Sequence, residues 1–431
     1  MSLAADEVYQ ERWYSTLGQI AVPFLLASIG VVTAGLVMGH VEDWRVYREM
    51  NELFVLVPAL CGLKGNLDMC VASRFSTQSN IGNLQDCKVI RQLVIGNLAL
   101  VQVQAIVCSM LLVVFTVCVS SIIAQQPEFK NFSILAAAAL VTSTTSCLVL
   151  DSILMLVILF SQRYRFNPDY MATPIVASIG DVISISLLSF TAAQLHDLDR
   201  SYLWISIVIM CLYLLLLLPL WVILVLKNLY TRKVLAYGWI PVIGALCISQ
   251  VGGFVLSSSV TQFPSFAVYS PIINGIGGNL VCVQASNMGS LLYQSSKPGT
   301  MPEGVRICIW PHNALFYGTV YSRVSRILIC ISIPGNVLLV YSADFLYTNY
   351  ISVKWGFVLG FVITSLVLLF ILLWVAHILV HFFWHIKADP DSCAIPYLTA
   401  LCDSMGTGFL AIMFTVLRKT KHSYDSKTLS N

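Results

Sequence analysis

Long apolar runs alternate with short polar connections along the whole chain. A bilayer core is crossed by roughly 20 apolar residues in helical form. Several runs exceed that length, which indicates tilted helices. The pattern predicts an all-α polytopic membrane protein with about eleven transmembrane helices, at residues 17–38, 53–72, 93–124, 133–161, 172–195, 202–226, 239–260, 266–293, 325–343, 352–383 and 394–417.

Composition agrees with this pattern. Of the 431 residues, 58% are hydrophobic and 10% are charged, and the mean hydropathy is +0.82. Soluble domains average about 25% charged residues. The expected surroundings are therefore a lipid bilayer, and a net charge of +3 is too small to indicate a nucleic-acid partner.

Two parts of the chain read as copies of two other parts. Residues 167–188 align without gaps on 389–410, and residues 57–73 align on 270–286. Equivalent spans are an even number of spans apart, so both copies cross the membrane in the same direction. The duplication predicts two parallel five-helix repeats related by a pseudo-two-fold axis along the membrane normal, a pseudo-dimer within one chain.

The expected organisation has five parts. Lysine and arginine concentrate in alternate short loops, which predicts a cytoplasmic N-terminus. The parts are a cytoplasmic N-terminal tail at 1–16, repeat 1 at 17–196, a linker helix and loop at 197–236, repeat 2 at 237–417, and a C-terminal tail at 418–431.

Each repeat carries an aspartate near the middle of an apolar span, Asp181 in the first and Asp403 in the second. Charge inside a membrane helix is costly and is usually retained for ion handling. Two facing carboxylates repel each other, and a divalent cation removes that conflict. Magnesium fits because it is usually held by one or two carboxylates and keeps several waters. The candidate metal-binding residues are Asp181, Asp403, Asn66, Asn279, Asp169, Asp389 and Asp391.

A second group is expected to shape the pore. Pro174 and Pro396 each precede their aspartate by seven residues and would loosen the helix, freeing carbonyl groups. Gly65 and Gly278 permit close approach of helices. Lys64 stands where the second repeat has Gly277, so it either repels ions or pairs with Asp68.

Simpler structural roles compete with these interpretations. A membrane aspartate can be the ion-pair partner of a basic residue, and glycine patterns more often serve helix packing. The two asparagines can form interhelical hydrogen bonds instead of contacting an ion. Asp169, Asp389 and Asp391 precede or begin helices, where a negative charge is stabilised by the helix dipole.

The segments VPALCGLKGNLDMCVASR, NPDYMATPIVASIGD and DPDSCAIPYLTALCD resemble solute carrier family 41, the eukaryotic relatives of the bacterial MgtE magnesium channels. The resemblance covers nearly all of 18–417. It implies magnesium as the transported substrate, with Asp181 and Asp403 as pore aspartates and Asn66 and Asn279 beside the ion path. It further implies cation binding by Asp389 at the cytoplasmic side, and it suggests exchange against sodium, which no residue by itself indicates.

The resulting hypothesis is a magnesium transporter that is not an enzyme, needs no cofactor and functions as a monomer. The family resemblance implies the plasma membrane, with a mitochondrial membrane as the alternative. A proton-coupled transporter of another cation or small solute is the first rival. An intramembrane aspartyl protease, which also uses two membrane aspartates, is a remote one because the Gly-x-Gly-Asp signature is absent.

Overall fold

The computed structural model describes residues 13–80, 86–124, 129–164, 168–198, 203–263, 265–302, 305–317 and 321–419. Within these ranges the chain forms helices and their connections, with no β-strand. Eleven helices are long and apolar enough to span a bilayer, which confirms the predicted all-α class. They are α1 Trp13–Val41, α2 Glu52–Asn80, α3 Cys87–Ala124, α4 Phe129–Tyr164, α5 Pro168–His196, α6 Trp204–Lys227, α7 Trp239–Val260, α8 Phe266–Ser295, α9 Ser322–Thr348, α10 Trp355–His385 and α11 Pro390–Lys419.

Short helices connect some of the long ones. They lie at Arg45–Glu49, Arg232–Tyr237 and Pro311–Leu315. In the first of these, the Arg45 guanidinium donates a 2.6 Å hydrogen bond to Glu49, and this bond lowers the pKa of the Glu49 carboxyl. Both side chains are largely exposed, so this pair contributes little to stability.

The order of the helices divides the chain into a first half, α1–α5, and a second half, α7–α11. Helix α1 packs against α5 of its own half, but it also packs against α8 and α9 of the other. Helix α7 likewise packs against α11 of its own half and against α2 and α3 of the first half. Each half therefore shares its first helix with the other, an arrangement called here the exchange of first helices, and the apolar core runs through both halves without interruption.

Two glycines allow these exchanged helices to approach closely. A Cβ on Gly35 of α1 would collide with the backbone oxygen of Val268 in α8. A Cβ on Gly253 of α7 would collide in the same way with the backbone oxygen of Val55 in α2. Small residues at helix crossings let backbones come together in membranes. The same contact thus occurs twice, once at each exchange.

Helix α6 lies outside this arrangement. Its central turn, Leu212–Leu217, is a π-helix, and none of its most apolar stretch is buried in the protein. It meets α3 through a small apolar cluster that joins Val225 to Ala99, Leu100 and Val103. A helix that is apolar all round and exposed to this extent has lipid as its natural surroundings.

Candidate ion-binding site

A cavity of about 100 Å³ lies between the two halves, bounded by α1, α2, α5, α7, α8 and α11. Much of its lining comes in pairs from equivalent positions of the two sequence copies. These pairs are Val57 with Ser270, Pro58 with Pro271, Cys61 with Asn274, Gly62 with Gly275, Gly65 with Gly278, Met69 with Cys282, and Asp181 with Asp403. The duplicated segments therefore meet around one shared space.

Asp181 and Asp403 both line this cavity, and each lies thirteen residues after the proline that begins its helix. Thirteen residues correspond to about 20 Å along a helix axis, so both carboxylates lie near the middle of their 29- and 30-residue helices. None of the described residues donates a hydrogen bond to either carboxylate, which leaves both open to an ion or water.

The four cavity glycines have two different roles. A Cβ on Gly62 would lie 2.9 Å from the Asp403 carboxylate and 2.9 Å from the Ser249 hydroxyl, and a Cβ on Gly275 would lie 2.7 Å from the Val31 side chain. Both positions are closely packed. A Cβ on Gly65 or Gly278 would meet nothing within 4 Å. These two glycines widen the cavity instead of bringing helices together.

The two asparagines predicted beside the ion path are not equivalent. Asn279 lines the cavity, whereas Asn66 is fully buried behind it. The Asn66 carbonyl oxygen accepts a 2.5 Å hydrogen bond from the hydroxyl of Thr399, which itself lines the cavity. The Thr399 side chain thus lies between Asn66 and the cavity.

Asp389, the one acidic residue of the helix starts whose side chain is described, lies away from the cavity lining. Asp389 immediately precedes α11 and accepts hydrogen bonds from the Ser392 amide at 3.3 Å and the Ser392 hydroxyl at 2.5 Å, as an N-cap does. The Tyr293 hydroxyl also donates to it, at 2.9 Å. Asp169 and Asp391 lie in the first turns of α5 and α11, and their side chains fall outside the described part of the structure.

Proline does not break either of the helices that carry Asp181 and Asp403, because α5 runs without interruption through Pro174 and α11 through Pro396. Pro396 has no N–H to donate to the carbonyl of Ser392, four residues before it. That carbonyl instead accepts the thiol hydrogen of Cys70 on α2, with an Sγ–O distance of 3.7 Å. The carbonyl freed by Pro396 therefore serves contact between helices.

Lys64 is buried beside the cavity without lining it. Its ammonium nitrogen lies 3.0 Å from a carboxylate oxygen of Asp68, so it forms the ion pair that was one of its two expected roles. Its ammonium nitrogen also lies against Gly180, the residue before Asp181. A basic residue thus accompanies Asp181 from a different helix, where inspection of the Asp181 span alone could not reveal it.

Sequence reasoning missed two polar positions. Asn274 lines the cavity and donates a 3.0 Å hydrogen bond to the Thr407 hydroxyl. Its equivalent in the first copy is Cys61, so the duplication gave no signal for it. Asp151 is fully buried in α4 close to Asp68. It is a charge in the middle of an apolar run, which is the same signal that identified Asp181 and Asp403.

Comparison with known proteins agrees with this arrangement. The family model of MgtE, described as a divalent cation transporter, matches residues 57–191 and again residues 270–413. These two matches cover most of the chain and coincide with the duplicated segments. The chain belongs to the MgtE family of divalent cation transporters, and within it to solute carrier family 41.

The relatives extend over nearly the whole sequence. Solute carrier family 41 member 2 of Mus musculus is 41% identical over 405 residues, which are 93% of this chain and 70% of the relative. The Homo sapiens member 2 is 40% identical over the same shares of the two chains. Member 3 of Rattus norvegicus is 35% identical over 411 residues, 94% of this chain and 88% of the relative. No solved structure matches the chain.

Membership of this family confirms that the chain is a multi-pass membrane transporter and not an enzyme. The intramembrane protease hypothesis is therefore discarded. Divalent cation transport is the activity of the family.

Proposed function

We propose that this protein transports magnesium ions along a path between its two halves, with Asp181 and Asp403 holding the ion near the middle of the membrane. The observation that carries this proposal is the meeting of two equivalent carboxylates at one cavity. Two carboxylates supply two negative charges, which one divalent cation balances. Because no described residue donates a hydrogen bond to these groups, an ion or its waters would supply their partners.

The dimensions and the lining of the cavity favour a hydrated ion. A site needs about 10–15 Å³ for each water, so a cavity of about 100 Å³ has room for several. Pockets for organic ligands usually measure about 300–1,000 Å³, which disfavours an organic solute in this conformation. Asn274, Asn279 and Thr399 add amide and hydroxyl groups that can bind the waters that magnesium retains.

The exchange of first helices supports a pathway built within a single chain. Both halves contribute an aspartate, and each half is completed by a helix of the other. We therefore propose that the monomer is the transporting unit and that the repeats are related by a pseudo-two-fold axis through the cavity. Asp169, Asp389 and Asp391 would guide cations at the cytoplasmic end of this path.

Magnesium flux into proteoliposomes tests the proposal. Asp181→Asn and Asp403→Asn should each reduce the flux, and the double variant should abolish it while leaving folding and yield intact. Asp197→Asn is the matched control, since Asp197 is an exposed carboxylate just after the end of α5. Flux through the double variant equal to that of the unmodified protein would remove both aspartates from the transport path.

The same proteoliposomes test the coupling ion. We propose that sodium exchanges for magnesium, so an opposed sodium gradient should accelerate magnesium flux and a reversed gradient should slow it. Flux that follows the pH gradient and ignores sodium would identify a proton-coupled transporter instead. Flux that depends on neither gradient would identify a channel.

A further inference from the structure

Residues 305–317, called here the α10 strap, belong to the connection between α8 and α9 and lie along the side of α10. The His377 imidazole of α10 donates a 3.1 Å hydrogen bond to the Arg306 carbonyl. Three residues earlier in α10, the Trp374 indole donates a 2.9 Å hydrogen bond to the Ile309 carbonyl. The strap is thus fixed to α10 through its backbone, which leaves the Arg306 side chain exposed.

The strap lies beside the membrane-spanning part of α10 and not beyond its end. The Phe316 ring lies 5.9 Å from the ring of Phe370, which is midway along α10. His377, which holds the other end of the strap, lies about 12 Å along the axis from the last residue of α10. A bilayer core is about 30 Å thick, whereas the 31 residues of α10 extend about 46 Å. The level of His377 is therefore near the boundary between hydrocarbon and lipid headgroups.

The first part of the strap presents hydrogen-bond donors that have no acceptor in the protein. The backbone N–H groups of residues 306–310 donate no hydrogen bond within the part of the chain that the structure describes. These residues are half-buried or exposed, so a partner from outside can reach them. Hydrocarbon offers no acceptor to a backbone N–H. Oxygen atoms from the lipid headgroups or from water must therefore meet this segment.

Three arginines add positive charge at the same level. Arg306 is in the strap, and Arg323 and Arg326 are in the first two turns of α9. The start of α9 is close to the strap, because the ring of Tyr321 lies 6.4 Å from the ring of His377. Arg306 and Arg326 are exposed and Arg323 is half-buried. Among the described residues none of the three forms an ion pair.

Acidic residues are scarce around these arginines. The sequence from Ser295 to Asp344 contains one acidic residue between these two, Glu303, which lies outside the described residues. Helix α10 carries no acidic residue. The strap and the start of α9 therefore form a donor-rich, positively charged surface.

We propose that this surface binds the headgroup of an anionic phospholipid. The lipid phosphate would accept hydrogen bonds from the N–H groups of residues 306–310 and from the guanidinium groups of Arg306, Arg323 and Arg326. Arginine side chains near helix ends extend to the headgroups in this way. Counting spans from a cytoplasmic N-terminus puts the surface on the cytoplasmic side, where the leaflet is rich in anionic lipids.

Two exposed aromatic side chains favour a lipid over a free phosphate ion. Trp310 is 81% exposed and Tyr317 is 65% exposed, and both belong to the strap. Tryptophan and tyrosine are enriched where acyl chains meet headgroups. A phosphate ion in water would not contact them, whereas the acyl chains of a bound lipid would cover both.

The first half has a much shorter connection at the corresponding place. Six residues join α2 to α3, whereas 26 residues join α8 to α9. Helix α3 has 38 residues and α9 has 27, so the first half has additional helix instead of a strap. The lipid would therefore bind once per chain.

Thermal unfolding of the purified full chain in a neutral detergent tests the lipid site. Dioleoyl phosphatidylglycerol should raise the apparent Tm by at least about 2 °C more than the same amount of dioleoyl phosphatidylcholine. The triple variant Arg306→Gln/Arg323→Gln/Arg326→Gln should lose most of this difference. Trp310→Ala should reduce it, and sodium phosphate should produce no shift in the unmodified protein.

The matched control is Lys88→Gln/Lys227→Gln/Arg232→Gln. It removes three exposed basic side chains that the count of spans puts on the same side of the membrane, and it should keep the difference between the two lipids. If the triple arginine variant does not fold, Arg306→Gln and Arg326→Gln, each at an exposed position, should separately lose part of that difference.

Four outcomes would overturn the proposal. They are equal shifts from the two lipids, a difference that persists in the arginine variants, an equal loss in the control, and a shift of the same size from sodium phosphate. The last of these would identify a site for free phosphate instead of a lipid.

Discussion

The side chain of Lys64 lies across Gly180, the residue that precedes the cavity aspartate Asp181. Its ammonium nitrogen occupies the place where a Cβ on Gly180 would be. In the second half the relationship is reversed, because Gly277 stands at the position of Lys64 and Cys402 at that of Gly180. The Cys402 sulfur lies 2.7 Å from where a Cβ on Gly277 would be. Each half thus fills the same space, one from α2 and the other from α11.

Replacing Gly180 with alanine should displace the Lys64 ammonium from Asp68 and lower stability. Overfilling a packed site typically costs about 1–3 kcal/mol, and loosening a buried ion pair adds to that cost. Gly180→Ala should therefore lower the apparent Tm by several degrees. Gly408→Ala in α11 is the matched control, since its added carbon meets nothing within 4 Å. Equal Tm values for the two variants would contradict the packing described for Lys64.

Adding side-chain volume to the cavity at Gly65 and Gly278 should reduce transport without impairing folding. The double variant Gly65→Ala/Gly278→Ala adds two methyl groups to open space, and alanine is favoured over glycine in helices by about 1 kcal/mol. We expect an unchanged or higher Tm together with magnesium flux reduced on the order of tenfold, equivalent to a barrier raised by about 1.4 kcal/mol. Normal flux in this variant would show that ions do not pass these glycines.

The two helix crossings at Gly35 and Gly253 should be equally sensitive to a larger side chain at the glycine. Gly35→Leu and Gly253→Leu each place a side chain against a backbone oxygen of the other half, which no rotamer change relieves. We expect a similar large loss of folded protein for both, measured as the monodisperse fraction in size-exclusion chromatography. Gly18→Leu in α1 is the control, because Gly18 is exposed and open. Loss confined to one of the two crossings would argue against equivalent exchanges.

Apolar run length was enough to predict the eleven spans, because in a membrane every such run must satisfy its backbone within a helix. The duplicated segments also indicated which residues would face each other. Asp181 and Asp403 lie at one cavity because equivalent positions converge where equivalent helices meet.

The exchange of α1 and α7 was not predictable in the same way. Short motifs report which residues are alike, and they do not report which half a helix packs against. The different positions of Asn66 and Asn279 have a similar origin. Thr399 covers Asn66, whereas the residue at the equivalent position in the first copy is Ala177, which has no hydroxyl group. Single-residue differences between the copies thus decide which side chains reach the cavity.

The exchange of first helices has a consequence for synthesis of the protein. Helix α1 is made before the other described helices, yet two of the helices it packs against, α8 and α9, follow only in the second half of the chain. It must therefore wait in the bilayer beside α5 alone while most of the chain is inserted. A chain released before α8 and α9 are made would therefore leave α1 without two of the helices that it packs against.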